Sequence, residues 1–160
     1  MERLLLSLVV YSMTTGAFAA HPHLENPLHH VSVTVSRQGA RVRGIGAGHV
    51  QFSPEALVVD GRAHALHPGA AVAAGARISQ PLGQGVSAWY LNTPFGIEQG
   101  FVLAKPQAGK QVGIRMVLGG DLLPSHHGSG LDFSALKDPK PTLHYSRVVA
   151  YDADHRRLPS

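Results

Sequence analysis

The chain has no cysteine, a single tryptophan and only 15% charged residues, and each shortage closes off a class of function. Without cysteine there is no disulfide framework, no thiol nucleophile and no thiolate-bound zinc. Nucleic acid is excluded as a partner because the net charge of +4 is scattered rather than gathered into a basic stripe with stacking aromatics. Arg156 and Arg157 are the only adjacent basic pair. The first apolar run, Leu4–Val10, is broken by Ser7 and falls far short of the roughly 20 residues that a stable membrane span takes. No segment carries a convincing amphipathic helix, and no motif calls for a cofactor.

What the first residues do provide is a leader. Arg3 precedes the short apolar core, Ser12, Thr14, Thr15 and Gly16 end it, and Ala17-Phe18-Ala19 supplies small residues at a processing site. This is the pattern of a secretory signal peptide over residues 1–20, cleaved after Ala19 or Ala20. Glu2 offsets Arg3, a departure from the usual positive start. The expected location is outside the cytoplasm, in a periplasm, on a cell surface or in the medium. The remaining residues, about 140 of the 160, suit one domain able to bury a core unaided.

Residues 21–30 hold Pro22, Pro27 and four histidines and read as an extended arm without periodicity. From residue 31 a period of two takes over. Val31, Val33 and Val35 alternate with Ser32, Thr34 and Ser36, and later Val86, Ala88 and Tyr90 alternate with Ser87, Trp89 and Leu91. Ile97, Gln99, Phe101 and Leu103 share a face, as do Val112, Ile114, Met116 and Leu118. A last alternation is read through Leu143, Tyr145, Arg147, Val149 and Tyr151. Such strands are half-buried. Turns are expected at Gln38-Gly39, at Ser53-Pro54-Glu55, at Pro81 to Gly85 and at Asp60-Gly61, a tight-hairpin dipeptide. The alanine-rich stretch from Gly69 lacks large apolar residues and reads as a loop, with a short strand near Arg77 to Gln80. The fold class that results is all-β: an antiparallel β-sandwich, with a barrel as the alternative, over residues 31–160. The expected core is Val33, Val35, Phe52, Val58, Tyr90, Phe101, Ile114, Met116, Tyr145 and Val149.

Several short motifs occur in a fixed order: Trp89-Tyr90-Leu91-Asn92, then Gly96-Ile97-Glu98-Gln99-Gly100-Phe101, then Gly119-Gly120-Asp121-Leu122. Leu143-His144-Tyr145, Asp152-Ala153 and Arg157-Leu158-Pro159 follow. Together they resemble the domain that precedes FG-GAP-type propeller repeats in large bacterial secreted proteins, over roughly Phe52 to Ser160. The resemblance implies a non-catalytic β module, structural or adhesive, beside a downstream repeat region as partner. Two departures stand out: no repeats follow here, and His155 takes the place of a turn glycine.

Among chemistry-bearing residues the eleven histidines come first. Cleavage after Ala20 would leave the free amine and imidazole of His21, with His23 beside it, as a copper-binding set, the alternative being a solvated arm. His126-His127-Gly128-Ser129-Gly130 has an imidazole near a serine but no nucleophile elbow, and reads as a loop. His49, His64 and His144 sit on strands, and His67 in a turn. Most acids occupy turns; Glu98 stands inside a strand, where a structural hydrogen bond is expected. Gly44, Gly46 and Gly48 lack the following helix of a phosphate loop and read as a bulged or sharply turning strand. A third reading places carbohydrate on Trp89 and Phe95, since Trp89 and Tyr90 must point to opposite faces of their strand. The sequence therefore supports a non-enzymatic exported module, with copper binding or glycan binding as alternatives.

Overall fold

The computed structural model describes residues 21–46, 48–104, 111–146 and 149–158; the expected signal peptide lies outside them. In chain order the strands are β1 (His23–Asn26), β2 (Val31–Ser36), β3 (Gly39–Arg43), β4 (His49–Val59), β5 (Arg62–Ala65), β6 (Val72–Ala74), β7 (Arg77–Gly83), β8 (Val86–Thr93), β9 (Gly96–Leu103), β10 (Val112–Gly120), β11 (Leu122–His127), β12 (Gly130–Ala135), β13 (Asp138–Tyr145), β14 (Ala150–Tyr151) and β15 (Arg157–Leu158). No helix occurs among the described residues, so none is long and apolar enough to cross a membrane.

All pairings are antiparallel, and the strands form open sheets. The first runs β1-β2-β3-β4-β10, with β5 also on β4; the second runs β6-β7-β8-β9; the third runs β11-β12-β13; β14 and β15 form a ribbon. The fold is thus the sandwich of the two expected architectures, since no sheet closes into a barrel.

Alternation decides which faces meet. Val33, Val35, Ala40 and Leu57 from the first sheet pack against Ile78, Leu82, Val86, Ala88 and Tyr90 from the second, while Ser87, Trp89 and Leu91 turn outward, as the period of two requires. Beyond that core, Val50 and Phe52 of β4 meet Leu122 and Phe133 of the third sheet. The Phe52 and Phe133 rings are edge-on at 5.8 Å, 83° apart, a favoured arrangement for aromatic quadrupoles. Val42 touches both clusters. Gly44 and Gly48 let the third sheet close in, because a Cβ on Gly44 would strike the Thr142 carbonyl and one on Gly48 the Leu122 side chain.

Strand β4 corrects the expected turn at Ser53-Pro54-Glu55. It continues through that tripeptide, and Glu55 is skipped in the register with β10, where Arg115 faces Ala56 and Met116 faces Pro54. One extra residue restores the inward side to Leu57, 3% exposed, and turns Val58 off the core. Pro54 falls between the β3 and β5 partners of β4, where its missing N–H leaves no ladder bond unmade.

Other readings change as well. Val149 is 38% exposed and outside any strand, because β13 stops at Tyr145; Arg147 lies outside the described residues, and Tyr151 belongs to the β14–β15 ribbon. Phe101, Ile114, Met116 and Tyr145 pack on the cores while only partly buried. The alanine-rich stretch contains β6, and β7 runs on through Pro81 to Gly83, so that turn begins later, at Gln84-Gly85. Asp60-Gly61 does turn β4 into β5, with both residues at positive φ, 46° and 79°. The segment read as a free arm is instead bound down. Its β1 pairs with β2 from His23↔Thr34 to Asn26↔Val31, and Leu24, 6% exposed, enters the core.

Candidate functional site

Strands β7, β8 and β9 set the solvent face of the second sheet. Directly opposed residues share a face, and Trp89 stands opposite Ser79 on one side and Gly100 on the other. The indole takes the space a side chain at Gly100 would fill: a Cβ there would overlap the Trp89 ring. The Arg77 guanidinium lies over the same ring, 4.9 Å from its centroid, a cation–π contact, and its Nε donates to Ser79 Oγ at 3.4 Å. Leu91, Glu98 and Val102 share this face through their register. Glu98 is exposed, which corrects the expectation of a structural hydrogen bond at a buried acid. Tyr90, pointing the other way, is 2% exposed, and burial pushes its phenol up to about 12.

Phe95 does not join Trp89. It is 89% exposed in the turn after β8, and Trp89 lies four residues back from Thr93, about 13 Å along an extended strand. The two expected ligand residues therefore belong to different surfaces.

His21 is exposed, and His23 shares a hydrogen bond between its Nδ1 and Thr34 Oγ1 at 3.0 Å. Among the described residues no three histidine or acidic side chains are arranged to hold a metal ion.

The residues read as a histidine loop form a β-hairpin instead, with His126 and His127 on β11 and Ser129 in its turn. Cross-strand pairing produces a cluster that spacing alone did not reveal. Asp132 on β12 takes His144 Nδ1 on one carboxylate oxygen at 2.6 Å and His127 Nδ1 on the other at 2.9 Å. The two imidazoles meet edge to face with centroids 5.4 Å apart. The His144 hydrogen bond above all, and the His127 ring besides, hold the Asp132 carboxyl below its ordinary value. His49 forms a comparable pair with Asp121, whose carboxylate also accepts the His49 backbone N–H at 2.6 Å. That backbone bond is the main cause of the lowered Asp121 pKa.

The β1–β2 turn and the β8–β9 turn are stitched together at one end of the sandwich. Asn26, 4% exposed, donates to Asn92 Oδ1 and to the Thr93 carbonyl, each at 2.7 Å, and accepts the His29 N–H at 3.0 Å. His29 Nε2 donates to the Pro94 carbonyl at 2.8 Å. Beside this end a cleft of about 500 Å³ is lined by Pro27, His30 and Ile45, with Glu25 and Arg43.

Comparison with known proteins adds nothing to this geometry: no family model, no curated protein and no solved structure matches the chain.

Proposed function

We propose that the chain is a non-catalytic module of an exported surface or secreted protein, and that it holds carbohydrate against the solvent face of the second sheet. The observation that carries this reading is Trp89, placed by Gly100 and Arg77 in the middle of that face. An indole offers a large rigid apolar surface with one N–H donor, suited to the C–H face of a sugar ring. Arg77 and Glu98, with Ser79 and Ser87 beside them, present donors and acceptors for hydroxyl groups. The sheet beneath the indole is rigid, since its strands are laddered to one another and its other face is core. Hydrolysis of a glycosidic bond takes a pair of carboxylates, whereas β6–β9 carry Glu98 as their one acidic residue; holding is favoured over cleaving. The leader pattern, and the resemblance of the ordered motifs to domains ahead of FG-GAP-type repeats, support export and a place in a larger surface assembly.

The test is retention of the mature chain on a panel of immobilised oligosaccharides, with Trp89→Ala and Arg77→Ala alongside. Retention on at least one glycan class, abolished by Trp89→Ala and weakened by Arg77→Ala in folded proteins, is expected. Failure of the wild type to bind any glycan, or binding indifferent to Trp89, contradicts the reading.

A further inference from the structure

Open sheets leave edges, and an edge presents a row of N–H and C=O groups that templates the addition of another extended chain. Most edges here carry something that turns a second strand away. Strand β1 has four residues set between Pro22 and Pro27, and Asn92 Nδ2 donates to its Glu25 carbonyl at 2.8 Å. Strands β5 and β6 are only four and three residues long. Pro124 interrupts β11, while Pro139, Lys140 and Pro141 interrupt β13, and proline cannot donate to a ladder. The β9 edge shows an exposed acid, Glu98. Strand β10 is the exception. It ends the first sheet beyond β4, its one ladder partner among the described residues, and its nine residues include no proline, lysine or acid. Its single charge, Arg115, is drawn toward β4 by Glu55, Nη1 to Oε2 at 3.6 Å. The extra residue in the β4–β10 register belongs to β4, so β10 itself runs regularly. Ile114 and Met116 reach the two cores, whereas Val112, Leu118 and Val117, the last at 49%, are exposed.

We propose that β10 pairs with β10 of a second copy of the chain, antiparallel about a two-fold axis at Met116. The strand is complementary to its own reversed sequence in that register. On the inward face Ile114 meets Leu118 and Met116 meets Met116, so the apolar rows of the two copies join. On the outward face Gly113 meets Gly119 and Arg115 meets Val117, so the two guanidinium groups are not set against each other. A two-fold contact repeats every such pair, and cross-strand side-chain pairs are the unit that stabilises a ladder. A foreign strand would satisfy the same backbone groups; the match of β10 to its own reversed sequence is what points to a second copy. Pairing there leaves the outward face of β6–β9 free, since that face belongs to the other sheet, and the proposal rests on observations separate from the glycan reading.

Sedimentation equilibrium of the mature chain, with Val117→Lys, Val117→Glu and Val102→Lys alongside, tests it. All three variants change exposed valines and are expected to fold. The wild type is expected to show a monomer–dimer equilibrium, and amide exchange across residues 112–120 to slow as protein concentration rises. Val117→Lys sets an ammonium against Arg115 of the second copy, twice over by the two-fold, and is expected to weaken association about tenfold or more. Val117→Glu sets a carboxylate against the same guanidinium and is expected to keep the dimer. Val102→Lys, on β9, is expected to change nothing. A wild type that stays monomeric at every concentration overturns the proposal and leaves the edge to a strand of another protein. A dimer that survives Val117→Lys, that is lost in Val102→Lys, or that the Lys and Glu variants at Val117 weaken equally overturns it as well.

Discussion

The Tyr145 hydroxyl on β13 donates to Gln99 Oε1 on β9 across 3.3 Å, a bond that joins the third sheet to the sandwich. Gln99 passes the link inward, its Nε2 donating to the Tyr90 hydroxyl at 3.2 Å. Tyr145→Phe removes one neutral hydrogen bond and should cost about 1 kcal/mol. Gln99→Leu leaves the buried Tyr90 hydroxyl without its partner and should cost about 1–3 kcal/mol. Urea unfolding of both variants checks the order; Tyr145→Phe costing more than Gln99→Leu would contradict it.

The same burial has a consequence in alkali. The Tyr90 phenol is raised to about 12, above the value of about 10 for a free tyrosine, and burial raises Tyr145 in the same direction. A raised folded-state pKa contributes stability that is complete below the unfolded value and disappears as pH climbs through the folded one. Stability should therefore fall between about pH 10 and pH 12, and Tyr90→Phe should flatten that fall. Thermal melts at stepped alkaline pH report it, and an unchanged slope in Tyr90→Phe would refute it.

At the acid end the sign reverses. Asp132 is held below its ordinary value, first by the His144 hydrogen bond and then by the charge of His127. It therefore contributes stability above the pKa of an unfolded aspartate, lost as pH falls through its lower folded value. Asp132→Asn should remove this acid-limb loss and expose the β11–β12 hairpin amides to faster hydrogen exchange at neutral pH. Hairpin protection identical to wild type would show the cluster to be ornamental.

Phe133, 1% exposed, is the anchor of the third sheet against Phe52. Phe133→Ala should open a cavity and cost about 3–5 kcal/mol, a large share of a domain's stability. A melting temperature within a degree or two of wild type would mean that the third sheet contributes little to the fold.

The period-two stretches made the sandwich legible. Val33 and Val35, then Ala88 and Tyr90, announced their inward faces because a strand exposes alternate residues to one environment. Asp60-Gly61 was equally plain, since few dipeptides tolerate two successive positive φ values. Hidden from such reading were features made by contacts distant in sequence. Ser53-Pro54-Glu55 has turn chemistry, and only the β10 register shows that Glu55 bulges out of a continuous strand. Pro124, the paired histidines and Gly128 mask a hairpin whose Asp132–His144 link depends on β13. Asn26 reaches Asn92 across 66 residues, so nothing local to Pro22 and Pro27 marks the segment as bound. At the candidate site, the opposite orientations of Trp89 and Tyr90 could be read from their adjacency, while the roles of Gly100 and Arg77 required cross-strand register.

The glycan account comes down to Trp89, the only tryptophan in the chain and hence its own fluorescent probe. Gly100→Ala places a methyl group where the indole lies and should displace the ring. The most direct measurement is titration of the mature chain with the oligosaccharides retained on the panel, following tryptophan emission in wild type and Gly100→Ala. The account predicts a saturable change in wild-type emission and a binding constant weakened about tenfold or more in a folded Gly100→Ala protein, the fold change equivalent to about 1.4 kcal/mol. Emission that stays constant while binding saturates, or equal affinity in the two proteins once the ring has moved, would contradict it.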